Sequence, residues 1–302
     1  MKTHRPRVSI GLPVYNGERF LEDAINSLLA QTYQDFELII SDNASADQTE
    51  QICRFFAKRD NRIHYCRSRQ NYGAAWNFNH VFKLSQGEYF KWSAHDDICT
   101  REYIERCIDI LDKMPSVILC YTKTKIINEN GKYVRNYTDD LNVTSAKPYE
   151  RFINFNHNFR LSNPMFGLVR AGELRKTRLI GNFIASDRVL LSELALLGKF
   201  YEVSEYLFLR RDHPMKSERA NPSQDELAAW YDPTNRNKIN LENWRLLKEL
   251  FISIARSSIP FSEKTYCSLY LAKRSRWDWK LLRNELGVMF KGTIQRAIGK
   301  TC

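Results

Sequence analysis

The sequence predicts an α/β fold: a mostly parallel sheet with helices on both faces, followed by a helical, basic C-terminal extension. Three observations predict it. Short apolar runs alternate with amphipathic stretches up to residue 122, the pattern of βαβ units whose strands are covered on both sides. Several of these runs end in polar, turn-forming clusters, "LPVYNGE", "SDNAS" and "AHDD". From about Asn221-Pro222 onward, only helical periodicity remains.

In chain order, "RVSIGLP" (7–13) is a β-rich run that stops at proline. "ERFLEDAINSLLAQ" (18–31) sets Phe20, Leu21, Ala24, Ile25, Leu28 and Leu29 on one helical stripe. "DFELIISDNAS" (35–45) reads as a strand ending in turn residues, 47–59 as a helix and 62–66 as a short strand. A helix follows over 73–85, a strand over 87–94, a helix over 101–114 ended by Pro115, and a strand over 116–122. Beyond this the pattern loosens. Asn130-Gly131 marks a hairpin turn, 162–175 a strand leading into a helix, 186–198 an amphipathic helix, and 200–213 a strand-like run ending in histidine. In a parallel sheet, ligands bind beyond the carboxyl ends of the strands, so the three polar clusters converge on one edge.

The chain has 302 residues, enough for one large domain over 1–221 and an extension over 222–302. The loosening of the pattern beyond residue 122 divides the domain into two halves, 7–122 and 123–221. The formal charge is +11, but 236–302 holds 14 Lys and Arg against 5 Asp and Glu, a net +9. The remainder is nearly balanced, which argues against a nucleic-acid binder. The N-terminus lacks the apolar segment of a signal peptide, and no apolar run reaches the ~18 residues needed to span a membrane. Seven scattered cysteines without a C-x-x-C pair point to reduced thiols and the cytoplasm.

The motifs carry a resemblance. Pro13, Tyr15, Asn16 and Glu18 follow the first strand, "QTY" follows the first helix, and "IISDNASADQT", "NYGAAWNFN" and "GEYFKWSAHDD" come in that order. This set resembles the start of family 2 glycosyltransferases, which have the GT-A fold. The likeness is dense over 7–115, thinner to about 215, and absent from the tail. It implies an inverting glycosyltransferase using a nucleotide-diphosphate sugar, UDP-linked, and a glycan or lipid-linked acceptor, with 7–122 as the nucleotide-binding half and 123–221 as the acceptor half. Tyr15 would stack on the base, Asp42 accept from a base N–H, and Pro13, Asn16, Glu18, Asn71 and Gly73 line the nucleotide. Taken alone, Asp42 reads first as a turn or cap residue and Glu18 as a first-turn helix acid.

The family's strand end reads D-x-D-D; here Ala94 takes the place of the first Asp. By resemblance Asp96 holds Mn²⁺ or Mg²⁺, a cation that favours oxygen ligands and bridges phosphates. Asp97 supports it, and His95 contacts the ribose. Outside the resemblance, an adjacent Asp pair ahead of a helix reads as a cap. The family's late "R-x-H" segment maps to Arg211 and His213, giving His213 to the metal or pyrophosphate and Arg210 or Arg211 to the leaving diphosphate. Trp76 stands where many relatives have a basic residue. Asp187, at the start of the helix at 186–198, maps to the catalytic base. Two rivals remain: a nucleotidyltransferase, disfavoured because "GLPVYNGE" lacks a basic phosphate loop, and a non-catalytic sugar-nucleotide binder. Over 277–300, Trp277, Trp279, Leu282, Leu286, Met289, Phe290 and Ile294 mix with basic residues. This composition suits an anionic membrane surface on the inner face, or packing on the catalytic domain or on a second subunit.

Overall fold

The computed structural model describes residues 5–298 apart from 139 and 239. Its strands are β1 (Val8–Val14), β2 (Phe36–Asp42), β3 (Ile63–Arg67), β4 (Tyr89–Trp92), β5 (Ile98–Cys99), β6 (Val117–Asn128), β7 (Tyr133–Tyr137), β8 (Leu168–Arg170) and β9 (Lys199–Asp212). Its helices are α1 (Leu21–Leu29), α2 (Thr49–Ala57), α3 (Ala74–Leu84), α4 (Tyr103–Lys113), α5 (Pro148–Asn158), α6 (Ala171–Leu174), α7 (Ser186–Leu197), α8 (Ser217–Ala220), α9 (Gln224–Tyr231), α10 (Glu242–Arg256), α11 (Phe261–Trp277) and α12 (Trp279–Ile298).

One sheet runs β3-β2-β1-β4-β8-β6-β9-β5, with β7 paired to β6. Parallel ladders join β1 to β2 and β4, β2 to β3, and β6 to β9. β8 is antiparallel to both β4 and β6, so those two point the same way. The predicted α/β class and mostly parallel sheet are therefore the observed ones. The carboxyl ends of β1, β2, β3, β4, β6 and β9 share one edge.

Alternation along the strands feeds two cores. On one face Ile10, Leu12, Leu38 and Ile40 pack against Leu21, Ile25 and Leu28 of α1 and Cys107, Ile108 and Leu111 of α4. On the other, Ile39, Phe90 and Trp92 meet Ala75, Val81 and Phe82 of α3 and Leu190, Leu191 and Leu194 of α7. Gly11 permits the close approach of α3, because a Cβ there would sit 2.6 Å from Val81 Cγ2.

The differences from the sequence reading are local. Helix α1 begins at Leu21 rather than residue 18, since 15–18 form a loop that bonds elsewhere. The strand expected from 162 shrinks to β8, because "NPMF" makes a 3₁₀ turn. Helix α5 lies in the stretch without clear periodicity. Its Arg151 is buried and donates to the Ala195 and Leu196 carbonyls at the C-terminal end of α7, so a charged residue occupies a core position. Phe152 of α5 and Val189 and Leu196 of α7 form a third core with Leu250 and Ile254 of α10 and Cys267 and Leu271 of α11. Arg178 spans the same junction, pairing with Glu193 of α7 at 2.6 Å and with Glu249 and Ser253 of α10.

Candidate active site

The first two polar clusters are stitched together. Asn16 N donates to Ser45 Oγ (2.9 Å), and Asn16 Oδ1 accepts from Ala46 N (2.9 Å). Glu18 N donates to Asp47 Oδ2 (3.0 Å), and Glu18 Oε2 accepts from Gln48 N (2.9 Å). Burial of Asp47 opposes its charge, but hydrogen bonds from Thr49 and the Glu18 amide outweigh that and hold its carboxyl below the usual range. Pro13 is buried opposite Ser41 in the β1–β2 ladder, and Tyr15 stands exposed at the end of β1.

Asp42 is fully buried. Its carboxylate accepts from Ser45 N (2.8 Å) and Tyr65 Oη (3.0 Å) and pairs with Arg67 Nε (3.1 Å). The Asn43 side chain, which the sequence reading passed over, organises the next loop. Its Nδ2 donates to Asn71 Oδ1 (2.8 Å) and the Gly73 carbonyl (3.1 Å), and its Oδ1 accepts from Tyr72 N (3.0 Å). Gly73 has φ +88°, and a Cβ there would lie 2.4 Å from the Tyr231 carbonyl oxygen of α9; both reasons favour glycine. Asn77, also missed, is buried on the apolar face of α3 and donates to Ser41 O (2.9 Å) and Val14 O (3.3 Å). A polar residue on a helix's core stripe is the signal that would have found it. Trp76 stacks on His80, with ring centroids 4.4 Å apart, and meets Tyr72 in a tilted contact at 4.7 Å.

The acid pair lies between β4 and the end of β9. His213 Nε2 is 2.9 Å from Asp96 Oδ2. Burial alone would raise the Asp96 carboxyl, but the His213 hydrogen bond and the imidazole charges of His95 and His213 prevail and hold it low. Asp97 is buried and accepts from Arg211 N at 2.8 Å. Burial and the neighbouring Asp96 charge push the Asp97 carboxyl well above its ordinary range. The side chains of this pair thus diverge: Asp96 turns to His213 and Asp97 to the β9 backbone. Of the two arginines expected at the leaving diphosphate, Arg211 is enclosed. Its buried guanidinium donates to Asp96 O (2.9 Å), Glu129 O (2.9 Å) and Asp23 Oδ2 (2.9 Å), and it lies over the Phe20 ring. Phe20 also packs against His213 at 4.7 Å. His95 lies over Gly17, where a Cβ would be 2.9 Å from His95 Cδ2.

A divalent cation fits this pair in spacing. Neighbouring ligands of an octahedral ion bound at ~2.1 Å lie about 3 Å apart, and Asp96 Oδ2 and His213 Nε2 are 2.9 Å apart. His213 Nδ1, however, is buried without a partner, whereas a metal-bound imidazole usually donates its other N–H to an acceptor. Of the two, Asp96 would therefore be the stronger ligand. Among the described residues no group of three or more His, Cys, Asp or Glu could hold a metal, so such a cation would complete its shell with phosphate oxygens and water.

Asp187 lies in the first turn of α7, behind Ala185 at φ +63°. Its Oδ2 accepts from Ser162 Oγ, and Oδ1 accepts from Arg188 N at 2.9 Å. The next residue, Asn163, accepts from Arg210 Nη1 at 2.8 Å. Two hydrogen bonds and one peptide link thus join Asp187 to the residue beside Arg211. The loop ahead of α7 is held from both sides. Ile180 exchanges two hydrogen bonds with Asn79 of α3. Asn182 bonds to Asp232 (3.1 Å), Arg245 (2.8 Å) and Asn235 (2.7 Å), all in the C-terminal extension.

A family model described as glycosyl transferase family 2 matches residues 9–179, more than half of the chain. An uncharacterized glycosyltransferase of Rickettsia bellii is 33% identical over 150 residues, covering 49% of this chain and 21% of that protein. The chain thus spans about a fifth of that relative's length. Among solved structures, residues 1–349 of Staphylococcus aureus TarS in complex with UDP-GlcNAc align with a TM-score of 0.64 at 18% identity, covering 89% of this chain and 73% of that one. The mannosyltransferase PcManGT of Pyrobaculum calidifontis, in complex with GDP-Man and Mn²⁺, aligns at 0.53 and 15% identity, covering 99% and 81%. These two likenesses show the fold.

Proposed function

The chain belongs to glycosyl transferase family 2, and from that premise we propose that it moves a hexosyl group from a UDP-sugar to an acceptor hydroxyl with inversion. Asp187 takes the proton of the acceptor hydroxyl. The acceptor oxygen bonds to the anomeric carbon as the bond from that carbon to the diphosphate oxygen breaks, and UDP leaves. Arg210, tethered by Asn163, faces the leaving charge in place of the enclosed Arg211. Tyr15 stacks on the base, while Asn16, Glu18, Asn71 and Gly73 shape the loops around the nucleotide. Asp42, already engaged by three donors, acts mainly by fixing the floor beneath the base. Asp96, assisted by His213, would hold a divalent cation, which supplies neutralisation of the departing diphosphate.

The observation that carries this reading is the link from Asp187 through Ser162 and Asn163 to Arg210, at the edge where Asp96 and His213 meet. The UDP-GlcNAc in TarS and the GDP-Man with Mn²⁺ in PcManGT support a nucleotide-sugar donor. A thermal-shift screen of UDP-, GDP- and dTDP-sugars with Mn²⁺ tests the donor, because ligands that bind the folded state raise its melting temperature. A stabilising UDP-sugar that releases UDP when a glycan or lipid-linked acceptor is added supports the proposal. No stabilisation by any nucleotide sugar overturns it.

A further inference from the structure

Helix α11 has two faces of opposite character. Its inner face buries Cys267 and Leu271. Polar groups turned towards the domain find partners there: Arg274 pairs with Asp278 and donates to Asn156 O, and Glu263 accepts from Tyr149 N. The outer face is apolar and basic. Phe261 is 84% exposed, Leu269 61% and Trp277 67%, and Tyr266 is also exposed. At 100° per residue, Tyr266, Leu269, Lys273 and Trp277 fall within an arc of about 80°. Arg276 borders that arc, and Trp279, Lys280 and Leu281 continue it as exposed residues at the start of α12. Lys273 Nζ lies 5.3 Å from the Trp277 ring centroid. The exposed positions of α11 include no Asp or Glu.

This surface shares Trp277 and Trp279 with the tail segment that the sequence suggested, but it lies mainly on α11. Leu282 of that segment is 3% exposed. Trp244 Nε1 donates to its carbonyl, and Glu285 accepts from Asn243 and Trp244, seating the first turns of α12 on α10. Lys300 and the side chains of Phe290, Lys291, Ile294 and Arg296 lie outside the described residues.

We propose that the outer face of α11, continued by Trp279, Lys280 and Leu281, docks on the surface of an anionic lipid bilayer. Aromatic and aliphatic side chains interleaved with unopposed basic ones are what a helix lying in the headgroup region requires. The net +9 of residues 236–302 adds long-range attraction to a negative surface. No helix among the described residues is long and apolar enough to cross a membrane, so the contact is along the surface. A second copy is the poorer occupant, since a two-fold interface would set Lys273, Arg276 and Lys280 against their own counterparts.

The test is cosedimentation of the full chain with phosphatidylcholine vesicles and with vesicles half phosphatidylglycerol, at low and high salt. Binding to the anionic vesicles only, weakened by salt, is expected. Replacing Lys273, Arg276 and Lys280 together by Ser should cut vesicle affinity on the order of 100-fold, about fivefold per charge. Because these side chains are exposed, the melting temperature should not move. If the triple variant does unfold, Lys273→Ser alone decides, with a fivefold loss expected. Wild-type protein that ignores anionic vesicles, or binds neutral ones as well, overturns the proposal. So does a variant that binds undiminished, or light scattering that shows the substitutions splitting a dimer.

Discussion

His213 Nε2 meets Asp96 Oδ2 at 2.9 Å across 117 residues of sequence. The contact joins the end of β4 to the end of β9 at the edge where the polar loops gather. It also ranks two residues. Asp96 carries the charge a cation needs, while His213 has no acceptor for its second ring nitrogen.

Asp96→Ala should therefore abolish Mn²⁺-dependent transfer. His213→Ala should shift the Mn²⁺ titration upward by roughly 10-fold or more while retaining measurable turnover at saturating metal. Rates of UDP release against Mn²⁺ concentration check both. Equal loss in the two variants would contradict the ranking, and unchanged activity in Asp96→Ala would remove the metal assignment.

Asp187→Asn keeps one side-chain oxygen, which can still accept from Ser162 Oγ, and removes the proposed base. The expected result is a fall in kcat of roughly 100-fold or more with donor affinity kept. Calorimetry with UDP alongside steady-state kinetics separates the outcomes. A collapse of UDP affinity with unchanged turnover per bound donor would make Asp187 a binding residue.

Asp42→Ala should act first on stability. It strips partners from Ser45 N, Tyr65 Oη and Arg67, a loss of about 2–4 kcal/mol. The melting temperature should drop by several degrees together with UDP affinity. Weakened UDP binding in a variant that melts normally would instead identify a direct base contact.

Glu242 gives a pH prediction. Burial, and then the charge of Glu285, raise its carboxyl above the ordinary value, and its Oε1 is buried without a partner. A raised folded-state pKa means that stability is fully present below the unfolded value, about 4.3, and is lost as pH rises through the folded value. Gln mimics the protonated form. Glu242→Gln should melt like wild type near pH 4 and above it near pH 7; a difference that does not grow with pH would refute this.

The sequence spoke clearly where one element's own pattern decides its structure. Strands β1, β2 and β4 are mostly apolar and buried along their whole length because both sheet faces are covered, and α1, α4 and α7 show their buried stripes directly. It spoke poorly where distant parts meet. Arg211 looks like a surface cation in "LRRDH", but Asp23, Glu129 and Asp96 draw it inward from three other segments. Ser162, Asn163 and Asn182 carry no local signal, because their roles consist of partners about 20 to 60 residues away. Asn43 and Asn77 were legible in principle, as polar side chains beside or within apolar runs.

The grip on Asn182 has a practical consequence for grafting. Asp232, Asn235 and Arg245 hold the loop that leads into Asp187, so the proposed acceptor side of the site rests on two widely separated stretches of chain. A chimaera joined near residue 221 would present that loop to foreign partners and leave it slack. Exchange of acceptor preference between relatives should require the segment through α10 to travel with the loop, and a crossover placed after Arg256 keeps the two together.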